Sequence, residues 1–254
     1  MGAKSVEAED RESKNGSGLT LETWKKVVRA IEDSIPLYDQ VNDVISLGKA
    51  QEARKFAVQA LHLTDGVSIL DGGIGPGTTS KLLLSSVKPG LLVGFDGSAK
   101  QLKTAKTNLD NDRACVLQLV RGSFEFLPFR DTTFDAIITC YALRDSLDIS
   151  RSIGEYHRVC GQRGSFVDVD IGKPENLLKR AGSTLYVQYI MPLIAKITII
   201  GKIRGNPWRW IGPTYKTLPT NEALFSQVKN KFQNTELKEF LMGGLIVIIG
   251  RKSA

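Results

Sequence analysis

The chain has 254 residues, 42% of them hydrophobic, and a formal net charge of +7 at pH 7. That is enough apolar material for a substantial core, in one large domain or one domain with an insertion, and it excludes a chain too polar to fold. The three cysteines, Cys115, Cys140 and Cys160, have no metal-ligand spacing and make no recognised zinc site with His62 and His157, so a reducing cytosol fits best.

Residues 1–18 are polar and rich in Ser, Gly and Glu, which predicts a disordered tail and no secretory signal. From Thr20 a helix is expected, because Leu21, Trp24, Val28, Ile31 and Ile35 recur at helical spacing, and Pro36 should break it. Leu37 to Gly48 follows with an unusual density of Asp and Asn beside Tyr38; a second helix is expected over Gln51–Leu61. Residues 19–62 would then form an N-terminal helical cover ahead of the rest of the domain, 19–254.

Strands and helices then alternate: strand Val67–Asp71, helix Thr78–Val87, strand Leu91–Asp96, helix Ala99–Leu109, strand Cys115–Arg121, strand Thr133–Cys140, helix Asp148–Val159, strand Gly164–Asp170. Such alternation predicts an α/β fold with a parallel sheet. The pattern is interrupted over 173–219, where eight basic residues face one acidic residue, Glu175, so this segment holds the whole charge excess. A basic surface attracts nucleic acid, anionic lipid or acidic substrates, and charge sign alone does not choose among them. Leu185–Ile200 is apolar and interrupted by Pro192; it reads as a helical cover over a substrate pocket, with a buried core helix and a bilayer span as alternatives. Trp208, Trp210 and Tyr215 suit either a membrane interface or ordinary packing. A helix over Asn221–Lys231 and two strands, Leu237–Met242 and Leu245–Gly250, joined at Gly243-Gly244, complete the chain.

The motif that points to a ligand is Ser68-Ile69-Leu70-Asp71-Gly72-Gly73-Ile74-Gly75-Pro76-Gly77-Thr78-Thr79. Strand, glycine turn and helix together bring backbone close to a nucleotide-like molecule, and Gly73, Gly75 and Gly77 leave room where a Cβ would intrude. The pattern D-x-G-x-G-x-G differs from the G-x-G-x-x-G of dinucleotide folds. The Asp71 carboxylate would repel pyrophosphate and suits a ligand carrying positive charge. A second strand ends at Asp96, about twenty residues after the last glycine, where a carboxylate can hold two ribose hydroxyls.

On these residues, Ile69 to Thr79 and Val93 to Leu102, the sequence resembles the class I S-adenosylmethionine-dependent methyltransferases. The resemblance implies a Rossmann-like, mostly parallel sheet of seven strands closed by a C-terminal antiparallel hairpin. It also implies S-adenosylmethionine as cofactor, with Gly73, Gly75 and Gly77 beneath its methionine part. Asp71 would lie near the ammonium group or organise the turn, and Asp96 with Gly97 would take the ribose. Ser98 would serve as a helix N-cap. Ser123 stands where the family usually has an acid or amide for the adenine amino group, and Phe124 is a candidate adenine contact or core residue.

A narrower resemblance, to the ubiquinone/menaquinone biosynthesis C-methyltransferases, runs from about Tyr38 to Lys252. It rests on Tyr38-Asp39-Gln40-Val41-Asn42-Asp43, Ser46-Leu47-Gly48, Tyr141-Ala142-Leu143-Arg144-Asp145, Tyr215-Lys216-Thr217-Leu218-Pro219 and the Gly243–Lys252 segment. It implies a small, lipophilic, prenylated quinol or phenol as substrate; the basic, apolar segment would hold a cytoplasmic enzyme at anionic membrane or meet a partner subunit, and pairing into a homodimer stays open. A phenol's ring carbon becomes a good nucleophile when the hydroxyl loses its proton. Arg144 is the candidate oxyanion-stabilising group and Tyr38 its partner from the cover. Asp39 and Asp43 are expected to cap or anchor that cover. Asp145 stands where the family tends to have Asn and would pair with Arg144. The rival readings are a methyltransferase of another small molecule or lipid, a nucleic-acid methyltransferase, and a silent cofactor-binding regulatory subunit. Against nucleic acid, Thr139-Cys140-Tyr141-Ala142 lacks the Asn-Pro-Pro-aromatic arrangement of amino-directed base methyltransferases, and no RNA-binding module is recognisable.

Overall fold

The computed structural model describes residues 18–109, 116–202 and 206–253. The expected tail, apart from Gly18, lies outside the described residues, as do Cys115 and Arg204. The chain opens with α1 (Leu21–Ser34), capped by the Thr20 hydroxyl, which accepts from the Thr23 N–H. Pro36 ends α1 but does not end helical geometry. A 3₁₀ turn, Ile35–Leu37, takes the proline into its first turn, where no N–H is needed, and leads into α2 (Tyr38–Ile45) and then α3 (Lys49–Ala60).

Five strands, β1 (Ser68–Gly72), β2 (Leu91–Asp96), β3 (Val116–Arg121), β4 (Phe134–Cys140) and β5 (Cys160–Ile171), lie parallel. Two more, β6 (Gln233–Phe240) and β7 (Leu245–Arg251), pair antiparallel with each other, and β7 pairs antiparallel with β5. The seven-stranded order is β3-β2-β1-β4-β5-β7-β6.

Neighbouring residues on a strand point to opposite faces, and here both faces are apolar because helices cover both. Ile69, Leu92, Ile138, Val167 and Ile249 share a core with α3 residues Ala53 and Ala57 and with Leu83 of α4 (Thr78–Ser86). Each of their neighbours, Leu70, Val93, Ile137, Phe166 and Ile248, belongs to the opposite core. There they join Ile153 and Tyr156 of α6 (Ile149–Val159), while α5 (Ala99–Leu109) contacts β2 and β3. Each such side chain, once buried, contributes roughly 1.5–3 kcal/mol by leaving water.

Between β5 and β6 the chain is helical. α7 (Leu177–Leu185) runs through a π-type turn, Tyr186–Ile190, into α8 (Met191–Thr198). The break expected at Pro192 does not occur. The proline has no N–H to donate and its ring crowds the carbonyl four residues back, and the wider π turn immediately ahead of it accommodates both. A 3₁₀ turn at Pro207–Trp210 and α9 (Ile211–Thr217) follow, then α10 (Asn221–Lys229). Trp208 and Tyr215 are buried, which removes them from any membrane interface; the Trp208 indole N–H donates to Asn42 Oδ1 at 2.9 Å.

The hairpin is present, but its first strand begins at Gln233 and stops at Phe240, earlier than expected at both ends. Leu241 and Met242 have φ of +50° and +57°, so they leave the extended ladder and form a 3₁₀ turn with Gly243. Among the described residues no helix is long and apolar enough to cross a membrane.

Candidate active site

β1 and β4 are neighbours at the point where strand order reverses, which opens a crevice beyond their carboxyl ends. Its walls include Gly73 and Gly75 after β1, Asp96 and Gly97 after β2, Ser123 and Phe124 after β3, and Tyr141 and Asp145 after β4. Gly73, Gly75 and Gly77 have φ of +81°, +54° and +92°. A Cβ on Gly73 would overlap the Ala142 methyl, whereas one on Gly75 would meet nothing closer than 4.0 Å and project into open space. Gly77 starts α4 against Leu109 rather than lining the crevice.

Asp96 joins the two motifs physically. Its Oδ2 accepts from the Gly75 N–H at 3.0 Å and its Oδ1 from the Ser98 N–H at 2.8 Å. Burial raises its pKa, and those backbone donors oppose the rise. Ser98 is the expected N-cap of α5, its hydroxyl accepting from the Gln101 N–H. Asp71 sits beneath the turn and only 1% exposed. Its Oδ2 accepts from Ser80 Oγ at 2.6 Å, and burial pushes its pKa to about 6. It is not on the crevice wall. The Ser123 hydroxyl donates to Glu125, whose other oxygen accepts from the N–H groups of Leu147 and Asp148. Phe124 both lines the crevice and packs against Phe95 and Tyr156.

Helix α1 lies across the opening. Ser98 Oγ donates to Glu32, and Trp24 rests over Gly97, whose lack of a Cβ makes space for the indole. The crevice is thereby narrowed to about 90 Å³.

A second cavity, about 650 Å³, opens between the N-terminal helices and α7–α9. Ile45, Val187, Met191, Trp208 and Leu245 give it mostly apolar walls. It meets the crevice at Ile31, Tyr38 and Tyr141, which line both. Tyr141 holds φ at +60°, unusual for a bulky side chain, and its hydroxyl donates to the Ala50 carbonyl at 2.9 Å. Asp39 anchors α2, accepting from Thr78 Oγ1 at 2.7 Å.

Arg144 is in the wall of the second cavity and Asp145 in that of the crevice. Arg144 is 6% exposed and Asp145 8%. The partner nearest Arg144 is Asp170 at the end of β5, which accepts from Nη1 at 2.8 Å and from the Arg144 backbone N–H at 3.0 Å. Asp145 Oδ1 is 3.6 Å from Arg144 Nε. Burial works against the arginine's charge, but Asp145 and Asp170 together raise its pKa above the ordinary value. Burial pushes Asp145 up to about 6, against the pull of Arg144. Burial also raises the Tyr38 hydroxyl, while Arg144 and Arg54 lower it.

Four residues escape a reading of the sequence. Asp170, Glu125 and Trp24 carry no motif that marks them for this site. Arg54, inside α3, gives no local sign of burial, yet its Nε donates to Thr79 Oγ1 at 3.1 Å, its guanidinium lies over the Tyr141 ring, and it lines the crevice.

The model of the ubiE/COQ5 methyltransferase family matches residues 20–252. This chain belongs to that family. It is 27% identical over 231 residues to the demethylmenaquinone methyltransferase of Lactiplantibacillus plantarum, covering 89% of this chain and 96% of that one. The enzyme of the same name from Oceanobacillus iheyensis is 26% identical over 232 residues, 91% of this chain and 96% of that one. A solved S-adenosylmethionine-dependent methyltransferase from Thermotoga maritima shares the fold, with TM-score 0.59 and 15% identity over 89% of this chain and 100% of that one. This family member is an S-adenosylmethionine-dependent methyltransferase. Its crevice suits a sulfonium nucleoside: glycine backbone at the floor, the carboxylates of Asp96, Glu125 and Asp145 on the walls and, among the described residues, a single guanidinium, Arg54, beside the turn.

Proposed function

We propose that this family member methylates a ring carbon of a polyprenylated hydroquinone of the menaquinone type. The observation that carries the reading is the meeting of a large, mostly apolar cavity with the cofactor crevice at Tyr38 and Tyr141, with Arg144 in the cavity wall. An apolar ring and tail gain by leaving water there, and the buried arginine, in a wall that Lys179 also lines, supplies a cationic group for a developing phenolate. The two demethylmenaquinone methyltransferases support the same substrate class.

S-Adenosylmethionine supplies an electrophilic methyl group on a positively charged sulfur. Asp96 would hold its ribose hydroxyls, and the backbone of Gly73 and Gly75 would pass under the methionine chain. Arg54 would take the methionine carboxylate, and Ser123 with Glu125 the adenine amino group. Asp71 would keep the turn in shape through Ser80. Tyr38 and Ile31 close the junction and keep water from the reacting atoms. The same reading sets α7 and α8 on anionic membrane. Leu178, Leu185, Leu193, Ile197 and Ile200 are exposed there, with Lys179, Lys196 and Lys202 along the same segment.

The test is incubation with methyl-labelled cofactor and a panel of demethylmenaquinols, simple phenols, phospholipids and RNA. Label in an extractable methylated quinone is the expected result. Label in phospholipid or RNA, or none transferred, overturns the substrate assignment.

A further inference from the structure

Arg144 Nε and Asp145 Oδ1 are both buried, and neither has a hydrogen-bond partner among the described residues. One is a donor and the other an acceptor, and they stand 3.6 Å apart. That is too long for a hydrogen bond between them, and it leaves an unused donor beside an unused acceptor that one hydroxyl, reaching between them, would satisfy together. Asp170 does not compete for the arginine's Nε, because its contacts go to Nη1 and to the backbone N–H groups of Arg144 and Ile171. The pair sits on the 3₁₀ turn after β4, one residue facing the substrate cavity and the next facing the cofactor crevice. A hydroxyl bridging them would donate to Asp145 and accept from Arg144.

Resting on the hydroquinone reading above, we propose that Asp145 is the general base that removes the substrate hydroxyl proton while Arg144 Nε–H holds the oxygen left behind. The O–H bond of the substrate breaks, an O–H bond forms on Asp145, and the oxygen's electron pair feeds the ring. The ortho carbon takes the methyl group as the methyl–sulfur bond breaks, its electron pair staying on sulfur. The methylated carbon then loses its proton to water while Asp145 returns its own proton to the ring oxygen, restoring both the aromatic ring and the carboxylate. In taking the proton, Asp145 loses its charge, so Arg144 faces one fewer carboxylate when the phenolate appears.

The groups around Asp145 set the range in which it works. Arg144 favours its charge, while Asp170 at the end of β5 and Asp96 at the end of β2 oppose it; Tyr38 faces it from α2, and the buried Asp168 interacts with Asp170 and Arg144. A carboxyl ionising near pH 6 is a stronger base than an ordinary one and is still ionised at neutral pH.

Two variants separate the roles. Calorimetry of the full chain with 1-naphthol and with 1-methoxynaphthalene reads the bridge without turnover. The wild type and Asp145→Asn, which retains an acceptor oxygen, should favour the naphthol by about tenfold or more, and Asp145→Ala should favour neither. In methyl transfer to a demethylquinol, wild-type kcat should fall below about pH 6, whereas Asp145→Asn should lose about 100-fold at pH 8 together with that acid limb. Thermal melting confirms that both variants fold. An undiminished naphthol preference in Asp145→Ala, or wild-type kcat and acid limb in Asp145→Asn, overturns the base role. A wild type that methylates no phenol at all overturns the substrate reading and the base role with it, so the two failures are distinguishable.

Discussion

The two halves of the active site are built from different materials. On the cofactor side the shape comes from backbone: Gly73 and Gly75 at positive φ and a carboxylate accepting from two backbone N–H groups, contributed largely by residues near one another in sequence. On the substrate side the shape comes from side chains of distant segments. Trp208 reaches Asn42, the Tyr186 hydroxyl reaches the Ile45 carbonyl, and Arg144 reaches Asp170. A backbone cradle tolerates little variation, because a Cβ or a changed φ removes the site. A side-chain cavity tolerates exchange of its apolar walls and is sensitive where charge is buried.

Changes that cross that divide should therefore have graded effects. The largest is expected for Arg144→Ala, which strands Asp170 and Asp145 in the interior; loss of one partner of a buried ion pair costs about 3–5 kcal/mol. Urea denaturation at pH 8 measures it, and the folded fraction should bind S-adenosylhomocysteine within threefold of wild type. If cofactor affinity is lost in parallel, the two halves are not separable. Gly73→Ala should cost about 3 kcal/mol, from the strained φ and the overlap with Ala142, and should abolish cofactor binding. Wild-type affinity in that variant would refute a backbone-built crevice.

A pH experiment tests the buried acid beneath the turn. Asp71 ionises near 3.8 when exposed but holds its proton to about 6 in the fold. The folded state therefore binds the extra proton across that window. The stability Asp71 contributes is full below about pH 4, declines as pH rises to about 6, and is level above; the span corresponds to at most roughly 3 kcal/mol. Asp71→Asn should flatten that part of the melting-temperature profile in the cofactor-free protein. An identical profile in wild type and variant would show that Asp71 is not held protonated.

Asp96→Ala should weaken S-adenosylhomocysteine binding by about 1.5–3 kcal/mol, read by calorimetry, through loss of its charge-assisted hydrogen bonds. The smallest single effects belong to the exposed face. Each of Lys179→Gln, Lys196→Gln and Lys202→Gln should reduce retention on anionic liposomes at low salt by about 1 kcal/mol, and neutral liposomes should not respond. Equal binding to both kinds of vesicle would remove the membrane contact.

The same divide explains what was legible beforehand. The bounds of β2 and α5 fall where apolar runs and breakers put them, since each element answers to its own composition. β6 departs from its expected bounds because it is an edge strand with Glu236, Lys238 and Glu239 along it, so the apolar alternation that marks a half-buried strand is missing. Arg144 was visible within its motif, but its closest carboxylate is not. Asp170 becomes its neighbour only because β4 and β5 pair, Cys140 against Val169. Arg54 reads as an ordinary charged residue of an amphipathic helix until α3 packs against the start of α4.

From the sequence alone followed the parallel α/β sheet and the glycine turn with its two carboxylates, because strand alternation and positive-φ backbone are local demands on residue type. Folding in three dimensions decided how the substrate cavity is enclosed, how α1 lies over the crevice, and that Arg144 stands between two buried acids. Those depend on which distant surfaces exclude water together, and burial, rather than residue type, sets how strongly a charge acts.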